Sequence, residues 1–284
     1  MLRNEIQNKT GLTRKAIEYY EEKGFIKPLR NENNGYKNYS DDDLNILNQI
    51  SLYRKLGLNI NEIKQIINSN NKMLPSIIRK RQLLLKTNEK RQLLLEKLVQ
   101  GKDLDSITKE LDNLMHEETI YAQLERIFPG YFGQCFFATY KPFLNEPLTE
   151  ENESAYNEYV AFLDELPELD LLDEEQEYLE SNVSSVSMDD LNQIIEDKIV
   201  AINNIEKWLE ENHDNIKQYE QYKISEDYLS GPLYSIQEKL NSYMIENKYY
   251  EIAIPLIRKF SKSYDLYYRK LMDANDLYMK LIDQ

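Results

Sequence analysis

Apolar positions in this chain recur every three or four residues, the spacing of one helix face, and almost nowhere alternate as a half-buried strand requires. The N-terminal part reads as short helices. Residues 2–9 and 13–23 form two of them, with Ile17, Tyr20 and, past a glycine, Phe25 on the inner side and Thr10-Gly11-Leu12 between them. Two short helices joined by a glycine-containing turn make a helix-turn-helix arrangement. One strand signal follows, Tyr36-Lys37-Asn38-Tyr39, directly after Asn33-Asn34-Gly35, residue types that accept positive φ in a turn. Ser40 opens the next helix, because its hydroxyl can cap and Asp43 stands in the capping-box position. Leu44, Leu47, Ile50, Leu52 and Leu56 supply that helix with a stripe, and Gly57 ends it. Residues 60–67 begin another.

A polar break at 68–72 precedes a long helical run over 74–100, with Pro75 in the first turn, where its missing N–H costs nothing. The run carries two leucine triplets, 83–85 and 93–95, each preceded by Arg-Gln. Their spacing keeps no long heptad register, and the apolar face they make is too wide for one partner. This face predicts packing on a second copy of the helix and on the rest of its own chain. Further helices are predicted over 104–128, 149–166, 188–212, 233–247 and 250–281. Ser187 and Asp190 form a capping box for the third of these, and Leu191, Ile194, Ile195, Ile199, Ile202, Ile205 and Leu209 form its stripe. Pro255 should kink the last helix or mark its start. The acidic stretch 164–180 reads as a solvated loop or short helix. The expected architecture is mostly all-α, in three parts: 1–72 with the helix-turn-helix and a small β element, 73–102 as one long helix, and 103–284 as a helical domain.

Charge changes this picture. The whole chain of 284 residues carries a net charge of -15, yet residues 1–102 hold 20 Lys/Arg against 11 Asp/Glu, while residues 103–284 hold 15 against 39. A basic end joined to an acidic body fits a protein with one nucleic-acid-binding part; the blander alternative is two ordinary domains with unequal solvated surfaces. A single cysteine excludes a disulfide framework and any cysteine-rich metal or iron–sulfur site. No apolar run reaches the ~20 residues that span a bilayer, and the N-terminus lacks a signal-peptide core. The expectation is a cytoplasmic protein with no membrane contact.

The N-terminal residues fall into an ordered string: Thr10-Gly11-Leu12-Thr13, Ile17-Glu18-Tyr19-Tyr20-Glu21, Gly24-Phe25-Ile26-Lys27-Pro28, Asn34-Gly35-Tyr36-Lys37-Asn38-Tyr39-Ser40, Asp43-Leu44, and Leu56-Gly57-Leu58-Asn59-Ile60-Asn61-Glu62-Ile63. This string closely resembles the DNA-binding domain of the MerR family of bacterial transcriptional regulators, over about residues 1–70 and, in architecture only, onward to the long helix. The resemblance implies a winged helix-turn-helix on a homodimer joined by antiparallel long helices. It implies double-stranded promoter DNA as partner, RNA polymerase as a further one, and a spacer that is bent and untwisted when an effector binds the C-terminal domain. Residues 103–284 resemble no effector domain of known type.

Carried onto this sequence, the resemblance places Thr13, Arg14 and Lys15 at the start of the helix that enters the major groove, Tyr19 against the backbone, and Tyr36, Lys37 and Tyr39 on the wing, with Arg54 as a further phosphate contact. Tyr20 reads as core. Two positions depart from the family pattern. Glu18 stands where the family has Arg; its carboxylate either repels phosphate or pairs internally with Arg14. Lys37 replaces a wing Arg and loses the bidentate fork.

The remaining chemistry is sparse. No cysteine lies between 73 and 134, where sensing branches of the family place theirs, and Cys135 reads as a small buried apolar residue. His116 and His213 are far apart, and His116-Glu117-Glu118 is a poor metal pattern. Adjacent acids such as Glu117-Glu118 and Asp189-Asp190 do not face one another on a helix, so an enzyme reading finds no acid–base pair. No cofactor is implied. Aromatics are denser in the C-terminal part, above all between Phe128 and Phe143. A short helix aromatic all round must be covered or must line a cavity. Tyr131, Phe132, Phe136, Phe137, Tyr140 and Trp208 are therefore the candidate pocket for an apolar or cationic small-molecule effector. The competing reading is a protein-interaction module with weak or lost DNA binding that acts through its acidic half.

Overall fold

The computed structural model describes residues 1–31 and 35–282. They form two compact units, Met1–Leu74 and Pro75–Gln284. Asn33 and Asn34 of the expected turn lie outside the described residues.

The first unit begins with α1 (Arg3–Thr10) and α2 (Arg14–Glu22). Gly11 between them sits at φ 69°, a left-handed conformation that only glycine adopts without strain, and its N–H closes α1 onto the Gln7 carbonyl. Thr13 caps α2 by accepting from the Ala16 N–H. Strands β1 (Leu29–Arg30) and β2 (Lys37–Asn38) pair antiparallel, Leu29 opposite Asn38 and Arg30 opposite Lys37. The base of this ribbon is pinned where the Tyr39 N–H donates to the Met1 carbonyl at 2.8 Å. Then come α3 (Asp41–Lys55), opened by the Ser40/Asp43 capping box as the sequence predicts, and α4 (Ile60–Asn68), capped by Asn59. Ile6, Ile17, Tyr20, Ile26, Leu47, Ile50, Ile63 and Ile66 make the core. Two residues of the expected α3 stripe are not part of it: Leu52 and Leu56 are 55% and 60% exposed, because α3 buries only the face that carries Leu47 and Ile50.

The second unit starts with α5 (Leu74–Val99), about 39 Å of continuous helix. It continues with α6 (Leu104–Ile127), α7 (Tyr131–Tyr140), a single 3₁₀ turn (Lys141–Phe143), α8 (Glu153–Glu165) and α9 (Asp173–Asn182). It ends with α10 (Met188–Asn203), α11 (Ile205–Lys223), the short α12 (Glu226–Leu229), α13 (Pro232–Glu246), α14 (Tyr249–Phe260) and α15 (Lys262–Ile282). The large core is built from α6, α7, α8, α14 and α15, with Phe128, Phe137, Tyr159, Leu163, Tyr249, Ala253 and Ile257 at its centre. A smaller cluster joins Ala138 of α7 to Met188, Leu191 and Ile195 of α10.

Two helices expected as continuous are broken. The stretch 188–212 divides at Asn204, so Leu209 belongs to α11. The stretch 250–281 divides at Ser261, while Pro255 stays inside α14 without ending it. The Ser261 hydroxyl donates to the Phe143 carbonyl at 2.8 Å and accepts from the Tyr264 N–H at 3.2 Å. The Glu146 carboxylate accepts from the Lys262 and Ser263 N–H groups, which are donors that a new helix start leaves free. The acidic stretch 164–180 includes part of a true helix, α9, and two of its acids, Glu175 and Glu180, are buried.

α5 and α6 lie antiparallel and are tied by ion pairs: Lys90 with Glu117 at 3.2 Å, Arg91 with Glu118 at 2.7 Å, and Lys97 with Glu110. Lys86 pairs onward with Asp189 of α10. Leu94, Ile107 and Leu114 fill the space between the two helices. The opposite face of α5 leaves Ile78, Leu84, Leu85, Leu95 and Val99 exposed, and α6 leaves Leu104, Leu111 and Met115.

Candidate nucleic-acid interface

The N-terminus of α2 exposes Thr13, Arg14 and Lys15 beside backbone N–H groups that have no partner within the helix. Arg14 stands open, with 68% of its side chain in solvent. One turn on, Tyr19 is half-exposed and the Lys23 ammonium stands 5.6 Å over its ring. Tyr20 is core, stacked edge-on against Phe25 at 6.0 Å. The wing brings Tyr36, which is exposed, and Lys37. Arg54 lies at the end of α3 and spends one guanidinium N–H on the Leu58 carbonyl at 2.8 Å.

Tyr39 is placed differently from the wing position expected of it. It is 2% exposed, turned inward from the end of β2, and its hydroxyl raises the pKa of the neighbouring Arg3 guanidinium. A side chain so buried is packing for the wing rather than an outward phosphate donor.

Acids hold the basic residues of this surface. Arg14 Nε donates to Glu18 Oε1 at 2.9 Å, and Arg3 Nη1 approaches the same oxygen at 3.2 Å. Of the two roles open to Glu18, pairing with Arg14 is the one the structure displays. The hydrogen bond from Arg14 holds the Glu18 carboxyl below the usual carboxylate range. Lys37 Nζ donates to both oxygens of Glu21, at 2.6 and 2.7 Å. Nothing local in the sequence marks this second pair, whose members are sixteen residues apart.

The second group of candidate residues lies on and near α7. Phe137 and Tyr140 are buried in the large core, and Phe132 and Phe136 pack against its edge. Tyr131 faces the α10 cluster, and Trp208 lies half-exposed on α11, in neither cluster. Phe136 and Tyr140 border a cavity of about 420 Å³ between α7, α13 and α14, together with Leu240, Met244, Tyr249, Tyr250 and Ile254. Gln237, Glu238 and Asn241 form its polar edge. At its floor the Tyr249 hydroxyl donates to the Tyr140 hydroxyl at 3.1 Å. The signal for the far wall was the pair Tyr249-Tyr250, of which the sequence pattern assigns Tyr250 to a helix start and leaves Tyr249 just outside it.

Cys135 is half-buried, and burial pushes its thiol up, away from the reactive thiolate. His116 stacks on Tyr156 at 4.6 Å, and burial lowers its pKa. Among the described residues no group of three or more His, Cys, Asp or Glu side chains could hold a metal ion, and no helix is long and apolar enough to cross a membrane.

Residues 3–70 match the profile of the MerR HTH family regulatory proteins. The HTH-type transcriptional regulator CueR of Salmonella typhi is 40% identical over 65 residues, which are 23% of this chain and 47% of that protein. CueR of Escherichia coli O157:H7 is 42% identical over 59 residues, 21% of this chain and 44% of the relative. The Heavy metal-dependent transcription regulator 2 of Rhizobium meliloti is 32% identical over 63 residues, 22% and 43% respectively. The chain thus spans less than half the length of these relatives, and the family match falls at its N-terminal end. No solved structure matches the chain. Residues 3–70 are a MerR-family helix-turn-helix domain.

Proposed function

We propose that this protein is a dimeric DNA-binding transcriptional regulator that distorts promoter DNA in response to an effector held by its helical C-terminal unit. The observation that carries the reading is the helix-turn-helix domain itself: α2 presents Thr13, Arg14, Lys15 and Tyr19, and the wing adds Tyr36 and Lys37. Side chains at the start of such a helix reach base edges or phosphates, and wing residues position the backbone. RNA polymerase would be the partner that uses the distorted promoter.

Dimerisation is supported by the outward face of α5, where Ile78, Leu84, Leu85, Leu95 and Val99 stand uncovered on a helix whose other face is packed. Solitary exposed leucines are ordinary, but a run of them along one helix face marks an interface. Effector binding is supported by the cavity beside Phe136, Tyr140, Tyr249 and Tyr250, whose volume lies in the range of small-molecule sites. An apolar or cationic compound suits its aromatic walls and the acidic unit around it.

Footprinting of the DNA upstream of the protein's own coding region tests the reading. A protected, roughly symmetric site between promoter elements is expected. The second reading, an interaction module acting through its acidic half, draws on the pairing of Arg14 and Lys37 with acids. It predicts a folded dimer that protects no DNA at any salt concentration.

A further inference from the structure

Three cations on the candidate interface, Arg3, Arg14 and Lys37, share two carboxylates, Glu18 and Glu21. The pairs are not scattered. Glu18 and Glu21 lie three apart on α2, on one side of the helix, and each reaches a different element: Glu18 reaches α1 through Arg3, and Glu21 reaches the wing through Lys37. The carboxylates are partly exposed, at 35% and 25% of their side chains, so solvent screens both pairs and a competing phosphate can reach the cations. Glu18 also stays ionised into acid, because Arg14 hydrogen-bonds its charged form.

We infer that Glu18 and Glu21 are positioning residues that set the strength and the salt dependence of DNA binding: they hold Arg3, Arg14 and Lys37 in ion pairs that phosphate must displace. The inference rests on the DNA-binding reading above. Its logic is that of counterion release. Binding to arbitrary duplex is driven almost wholly by cations that displace condensed ions from phosphates. A cation already neutralised by a carboxylate brings no such gain, since phosphate must replace an existing partner. Base-edge contacts and easy deformation of the right spacer are untouched by that exchange. The exchange costs the same whatever the base sequence, so the acids lower affinity for every duplex and leave the ratio between sequences nearly unchanged.

The test uses the full-length chain, the variants Glu18→Gln and Glu21→Gln, and their combination. Binding is followed by fluorescence anisotropy on two labelled duplexes, the footprinted site and a shuffled version of it, across a salt series. The double variant is expected to bind the shuffled duplex about tenfold more tightly, with a salt slope steeper by about two, as expected when two or three more cations engage phosphate. Affinity for the true site should rise by a similar factor, so the ratio between the two duplexes stays nearly constant. Glu18→Asp, which keeps the charge, should restore most of the original slope. A gain confined to one duplex, or unchanged slopes in all variants, overturns the inference while leaving the DNA-binding reading intact. If neither the unaltered chain nor any variant binds either duplex at low salt, the DNA-binding reading fails and the inference falls with it.

Discussion

The Arg79 guanidinium and the Glu180 carboxylate meet at 2.9 Å with 1% and 4% of their side chains exposed, joining the first turns of α5 to α9 across a hundred residues of chain. Three further bonds hold the guanidinium: its Nε donates to Gln134 at 2.6 Å and its Nη1 to the Val183 and Val186 carbonyls. Gln134, fully buried, passes the connection on to Ser76, donating to its carbonyl at 2.9 Å and its hydroxyl at 3.0 Å. Such a pair fixes geometry more surely than it adds stability, because both charges lose their water.

Removing one partner leaves the other charge buried and alone. Arg79→Met or Glu180→Leu should each cost about 3–5 kcal/mol, read as a lower denaturant midpoint. The double variant should be less damaged than either single variant. Additive losses would show that the two residues are not coupled.

Glu125, a half-buried acid, has an electrostatic consequence of its own. Burial raises its carboxyl above the usual range, against the pull of Lys80, while the Tyr121 hydroxyl donates to it at 3.2 Å. A pKa raised in the folded state means the folded protein holds the proton more tightly. Its contribution to stability is present below the unfolded carboxylate range and is lost as pH rises through the folded value. Glu125→Gln should therefore melt at a higher temperature than the parent at pH 7–8, and the gap should close toward pH 4. A gap that does not change with pH would assign the effect to packing alone.

Gly133 sits where α7 presses on the end of α6. A Cβ there would lie 2.4 Å from the Phe128 carbonyl oxygen and 2.8 Å from that of Leu124, both backbone atoms that cannot swing aside. Gly133→Ala should cost about 3 kcal/mol, the upper end of overpacking, measured by chemical unfolding. A near-neutral result would mean that α7 can slide on α6.

The uncovered face of α5 carries the expectation of a dimer. Leu84→Glu combined with Leu95→Glu changes two exposed positions, so the circular dichroism spectrum should not alter. Sedimentation should then report a monomer. A dimer that persists unchanged would move the interface off this helix.

What could be read from the sequence was what neighbouring residues decide. The Ser40/Asp43 and Ser187/Asp190 caps act over three residues, and both helices begin where those pairs say. The breaks at Asn204 and Ser261 were not visible, because the apolar stripe runs straight through them. Ser261 turns on the Phe143 carbonyl and the Glu146 carboxylate, each more than a hundred residues away. β1 escaped notice for another reason: two exposed residues show no alternation. Burial of Tyr39 and the buried Arg79–Glu180 pair are likewise decided by tertiary neighbours. The charge contrast was seen but only partly understood. Of the excess of nine positive charges in residues 1–102, six fall in 73–102, where several of the basic side chains are bonded to acids of the same unit.

The ion pairs between α5 and α6 share one antiparallel register: Lys90 stands opposite Glu117 while Lys97 stands opposite Glu110. Sliding α6 by one turn would set Lys90 against Asn113 or Leu114 and carry Glu117 toward Lys86, which already pairs with Asp189. Intermediate positions would keep neither set of partners. The hairpin is thus built to occupy discrete settings rather than a continuum, as a ratchet does. Any signal that travels along α5 would have to arrive as a whole step or not at all.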